Sequence, residues 1–239
     1  MVPALLILGS STGVGKTAFV GALSLAWRHM GQLLTTRKPF AAGSWDDTDM
    51  LGTLGQLEEP RELVTPYFSP GPLVPAPDWA NWDLGTVCSK VAACIESVAP
   101  QNHVVLVEGI GGVRSPVSDH ADLLMVAGKL QLPIVLVTDC ELGTLSATLL
   151  CLQAAATERV RVLGLILNRF RRSDPVHRHN IGFLRAHAST PDLVVPLPFV
   201  PSASTARVVA ATSSHLLTSD EGVAERLRVL MALEDRTVT

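Results

Sequence analysis

Two lysines and a glutamate stand where a chain can do phosphate chemistry: Lys16, Lys38 and Glu108. Lys16 closes the stretch Gly9-Ser-Ser-Thr12-Gly13-Val14-Gly15-Lys16-Thr17. A glycine-rich turn ending Gly-Lys-Thr points backbone N–H groups inward, and the helix it opens adds positive potential. In that setting Lys16 reaches β- and γ-phosphates, and the Thr17 hydroxyl ligates Mg²⁺. The loop is one residue longer than the usual spacing, because Ser10 occupies the first glycine position and Gly9 precedes it.

Glu108 follows Val104-Val-Leu-Val107, so its backbone starts in the core. A carboxylate there needs a cation or strong donors, and Mg²⁺ shared with Thr17 would satisfy it. Asp49 is a candidate second carboxylate or a solvated acid, whereas Asp46 and Asp47 read as helix N-terminal caps. Lys38 suits neutralising charge during phosphoryl transfer, or holding an anionic second substrate. The competing reading is a lysine that caps a strand end. Pro39 fixes the chain beside it.

The elements that position these residues alternate. Apolar runs predict strands at 3–8, 33–37, 103–107, 133–138, 161–167 and 193–197. Periodic stretches predict helices at 16–30, 48–57, 84–99, 119–131, 144–157, 175–187 and 220–233. This alternation argues for an α/β fold: a doubly wound, mostly parallel sheet of the P-loop NTPase type, in one domain over residues 1–239. Ligands of such sheets sit at the carboxyl ends of the strands, where Lys38, Glu108, Asn168 and Pro198 fall. The proline-rich stretch 60–82 reads as an ordered loop or lid without a strand, and 200–219 carries the weakest pattern.

Composition narrows the class. Of 239 residues, 47% are hydrophobic, which argues for a folded core, and the net charge of −3 offers no basic field for nucleic acid. The cluster Arg169-Phe-Arg171-Arg172 reads as a solvated loop. No apolar run reaches membrane-spanning length and none resembles a secretory leader, so a cytoplasmic protein without a membrane partner is expected. Cys88, Cys94, Cys140 and Cys151 lack metal-type spacing and read as buried reduced thiols. His177 and His179 read as exposed loop or helix-start residues.

Taken together, the motifs resemble dethiobiotin synthetase, a P-loop ATP-dependent carboxylase-cyclase of biotin synthesis. The resemblance rests on Gly9-x5-Gly15-Lys16-Thr17, Lys38-Pro-x-x-x-Gly43, Glu108-Gly-x-Gly-Gly112 with Ser115-Pro-x-Ser-Asp119, Leu142-Gly-Thr-Leu145, Gly164-Leu-Ile-Leu-Asn168 and Pro198-Phe199, and spans most of residues 3–200. It implies carboxylation of 7,8-diaminononanoate with CO₂, ATP as co-substrate, Mg²⁺ and a homodimer with substrate near the subunit interface. It implies catalytic roles for Lys38, Lys16 and Thr12, and Mg²⁺ on Thr17, Asp49 and Glu108. The ATP site would comprise Gly13, Val14, Gly15, Lys16, Thr17, Ala18, Asp49, Glu108, Gly109, Ile110, Gly111, Asn168, Arg169, Pro198, Phe199 and Val200, with Asn168 and the 198–200 backbone reading adenine. Substrate would meet Lys38, Ala42, Gly112, Gly143 and Ser146. Ala42 stands where the family usually has Ser or Thr, and Ser146-Ala147 where it has Asn-His. The alternatives are a related ligase or cyclase of the same fold acting on another amine or carboxylate, and a P-loop ATPase switch.

Overall fold

The structure, a computed structural model, describes residues 2–55, 59–97, 104–187, 191, 193–202, 204–219 and 222–234. Its central sheet uses β1 (Ala4–Gly9), β2 (Leu34–Arg37), β5 (Val104–Gly112), β8 (Ile134–Thr138), β9 (Val162–Phe170) and β10 (Val194–Pro198). They lie in the order β10-β9-β8-β1-β5-β2, every pair parallel. Parallel strands require crossovers, and the helices that supply them cover both faces. This is the expected fold class.

The pleat sorts the core. Along β1, Leu6 and Leu8 join the cluster under α4 (Leu84–Glu96) and α5 (Leu123–Leu130). Leu5 and Ile7 point the other way, toward α1 (Lys16–His29), α8 (Thr205–Thr218) and α9 (Val223–Glu234). Trp27 of α1 is fully buried and its Nε1 donates to Ala224 O at 2.8 Å. Truncating such a side chain to alanine costs about 3–5 kcal/mol. The remaining helices are α2 (Asp46–Gly55), α3 (Arg61–Val64), α6 (Thr144–Thr157) and α7 (Pro175–His187).

The long strands and most helices lie where the periodicity puts them. Residues 56–57, 98–99, 103 and 220–221 of the expected spans lie outside the described residues. Three expectations need correction. The helix expected from 119 starts at Leu123, because β6 (Pro116–Ser118) and β7 (Ala121–Asp122) form an antiparallel pair first. Asp122 then caps the helix, accepting from Met125 N at 2.8 Å. The proline-rich segment holds a strand after all: β4 (Tyr67–Ser69) pairs in parallel with β3 (Phe40–Ala42). The segment of weakest pattern contains α8, which buries Val209, Thr212, Ser213 and Leu216 against α1.

Candidate functional site

The carboxyl ends of β1, β2 and β5 converge. Gly15 takes a left-handed φ of 100° at the start of α1, and a Cβ there would collide with the Asn168 side chain. Behind this loop a cavity of about 790 Å³ opens, lined by Thr12, Gly13, Gly15, Lys16, Thr17 and Ala18 on the loop side. Lys38 just after β2, Asp47 of α2, and Glu108, Ile110 and Gly111 of β5 line it from the other side.

Its charged groups form one network. The Lys38 ammonium donates to Glu108 Oε1 at 2.6 Å and lies 3.1 Å from Asp47 Oδ2. The Thr17 hydroxyl lies 2.8 Å from Glu108 Oε1 and 3.1 Å from Asp47 Oδ1. Lys16 donates to Gly111 O at 2.7 Å and Ser11 O at 3.3 Å, tying the loop to β5. Lys38 and Glu108 are buried, so these pairs act in a low-dielectric setting.

Burial would push the Lys38 ammonium down, but Glu108 and Asp47 outweigh it and hold its pKa raised. Lys38 therefore stays charged past the pH at which an exposed lysine titrates. Burial dominates at Lys16, which is lowered despite Glu108 nearby. Burial would likewise raise Asp47, yet Lys38 and the hydrogen bonds from Lys38 and Thr17 leave it lowered. The ion pair's contribution to stability is thus fully present above the ordinary aspartate range and is lost as acid titrates Asp47 below it.

Two carboxylates and one hydroxyl make a hard-oxygen donor set suited to Mg²⁺ with nucleotide phosphates. Glu108 Oε2 is buried without a hydrogen-bond partner, an acceptor that a cation would satisfy. These residues fit the ion. One expected ligand does not join them: Asp49 is exposed on α2 and lies outside the cavity lining, while Asp47 faces Thr17. The helix turns about 100° per residue, so side chains two apart point to opposite sides. The helix starts at Asp46 rather than at 48, and it turns Thr48 and Leu51 inward, which carries Asp47 toward Thr17 and Asp49 to solvent.

Other expected residues divide. Ala42 lines the cavity beside Ala41, Ser44 and Met50, facing Pro72, Leu73 and Val74 of the proline-rich segment. Val14 is buried beneath the loop. Gly109 and Gly112 are closely packed backbone positions: a Cβ at Gly109 would strike Leu8, one at Gly112 would lie 3.1 Å from Ser10 O, and Gly112 N donates to Ser115 Oγ at 2.7 Å. Asn168 and Arg169, near the carboxyl end of β9, grip the loop backbone, while Pro198 at the end of β10 and Phe199 and Val200 after it lie outside the cavity lining. Gly143 and Ser146 are also outside it. Gly143 borders a separate apolar groove of about 440 Å³ with Leu142, Leu145, Val176 and His179, and Ser146 is exposed.

Sequence reasoning missed Asp47, read there as a helix cap, and also Ser44, Met50, Pro72–Val74 and Thr205, which reach the cavity without a local motif. His177 is buried rather than exposed, accepting from Arg171 N at 3.0 Å. Among the described residues no group of three His, Cys, Asp or Glu side chains could hold a metal without further ligands. All four cysteines are buried and free, and burial pushes Cys94 and Cys140 up to about 12, so neither is a poised nucleophile. Among the described residues no helix is long and apolar enough to cross a membrane.

A family model described as an AAA domain matches residues 3–218, beyond the span of the motifs quoted above. An ATP-dependent dethiobiotin synthetase of Aromatoleum aromaticum is 32% identical over 213 residues, covering 86% of this chain and 94% of that protein. One from Janthinobacterium sp. is 31% identical over 210 residues, covering 80% and 89%. The solved structure of pNOB8 ParA bound to nonspecific DNA covers 98% of this chain and 100% of its own at a TM-score of 0.57 and 12% identity, a likeness of fold alone.

Proposed function

The chain belongs to the dethiobiotin synthetase family, and from that premise we propose that it carboxylates 7,8-diaminononanoate and closes the ring to dethiobiotin, converting ATP to ADP and phosphate. One amine adds to CO₂ and loses a proton, giving a carbamate. A carbamate oxygen attacks the γ-phosphorus of ATP, and ADP leaves. The second amine attacks the resulting mixed anhydride at its carbonyl carbon, phosphate departs, and a cyclic urea remains.

The observation that carries this reading is Lys38. Its charged ammonium shares one cavity with the phosphate loop, held by Glu108 and Asp47. From there it is suited to receive the carbamate and the charge that grows on the transferring phosphoryl. Lys16 and the loop N–H groups, with Thr12, would hold the phosphates. The diamine is its own nucleophile, so the protein positions reactants and supplies fixed charge. Thr17, Glu108 and Asp47 would hold Mg²⁺, which when bound offsets phosphate charge. Asn168, Arg169 and residues 198–200 sit at the same sheet edge, where the adenine would lie. The wall formed by Ala41, Ala42, Met50 and Leu73 offers apolar surface to an alkyl chain. The groove at Gly143 would reach a cavity only across a homodimer, an arrangement supported by the exposed Leu142 that lines it.

The test is incubation with ATP, Mg²⁺, bicarbonate and the diamine, followed by mass detection of the cyclic urea. Its formation in step with ADP is the expected result. ADP release without the urea would overturn this reading.

A further inference from the structure

We infer that Asn168 and Arg169 are positioning residues that set the shape of the phosphate loop, whatever contact they also make with a base. The inference rests on the nucleotide-binding part of the proposed function and not on the identity of the amine. Asn168 Nδ2 donates to Val14 O at 2.9 Å, and an Arg169 guanidinium nitrogen donates to Gly13 O at 2.9 Å. These carbonyls belong to the two peptide units on either side of Val14. In a planar trans peptide, the C=O and the N–H that follows point in opposite directions. Holding the carbonyls of Gly13 and Val14 outward therefore aims the N–H groups of Val14 and Gly15 the other way, into the cradle.

The loop needs such a hold. Gly13 and Gly15 sit at φ 77° and 100°, and glycine offers little resistance to peptide rotation. The grip comes from a rigid base, since β9 is buried from Val162 to Leu167. Asn168 is itself locked, because its Oδ1 accepts from Arg169 N at 2.9 Å. Arg169 stands at φ 59°, a left-handed conformation uncommon outside glycine, and this turn directs its side chain back across the loop.

A base-free ligand separates this role from base reading. Inorganic triphosphate and ATP are titrated calorimetrically, with Mg²⁺, into the wild type and the Arg169→Ala, Arg169→Lys and Asn168→Asp variants. Arg169→Ala and Asn168→Asp are expected to weaken both ligands by the same factor, about tenfold, with the ligand-free melting midpoint of exposed Arg169→Ala unchanged. Arg169→Lys, which keeps a donor, should recover part of the loss. A loss confined to ATP would make the pair base contacts only and overturn the inference, as would unchanged affinity for both ligands. A wild type that binds neither ligand would overturn the nucleotide reading as well.

Discussion

The phosphate end of the cavity and the groove at Gly143 are built on opposite terms. At the first, Lys16, Lys38 and Glu108 are buried, and short contacts link them to Thr17, Asp47 and the β5 backbone. At the second, Leu142 is 87% exposed, and the groove is lined mainly by apolar side chains. Electrostatic stabilisation depends on charges fixed before the reaction in a setting poor in water. One chain can assemble that by itself, and here it does. An apolar surface gains its free energy only when something covers it.

The largest test of this contrast is Lys38→Ala. Loss of the ammonium should lower the rate of urea formation by roughly 10³-fold while ATP affinity, read by calorimetry, stays within a few fold. Near-normal turnover would remove Lys38 from the mechanism. The same change leaves Glu108 buried without its cation, so thermal stability should also fall, by about 3 kcal/mol.

A finer test compares two acids on one helix. Asp47→Asn should raise the Mg²⁺ concentration needed for half-maximal activity about tenfold, whereas Asp49→Asn should leave it unchanged. A metal titration in which Asp49→Asn is the more damaged variant would reverse the assignment made from helical phase. The smallest expected effect belongs to the groove. Leu142→Glu should raise KM for the diamine a few fold, leave ATP affinity alone and shift the chain toward monomer on size exclusion. Unchanged diamine KM and unchanged size would detach the groove from the site.

Much of the site was legible before the fold. The run Ala4–Leu8 is buried on both faces, as continuous apolar character implies, and the loop after it could only lie at a strand's carboxyl end. Glu108 was legible for the same reason: a carboxylate that directly follows four apolar strand residues has to enter the interior near the ligand edge. The helix at 205–218 was harder to read, although its buried positions 209, 212, 213 and 216 follow helical spacing. Two of those four are Thr and Ser, and a hydrophobicity pattern does not register them.

Chain-local order, then, determined the strands, the phosphate loop and the presence of a lysine and a glutamate at one rim, because covalent spacing and the pleat act over a few residues. Tertiary structure decided which aspartate faces Thr17, since α2 packs with Thr48 and Leu51 buried, and that packing carries Asp47 to the loop and leaves Asp49 exposed. It also decided that Pro72–Val74 wall the cavity and that Asn168 and Arg169 reach back across some 154 and 156 residues to the loop. Contacts of that range depend on how whole elements pack, and a local pattern carries no record of them.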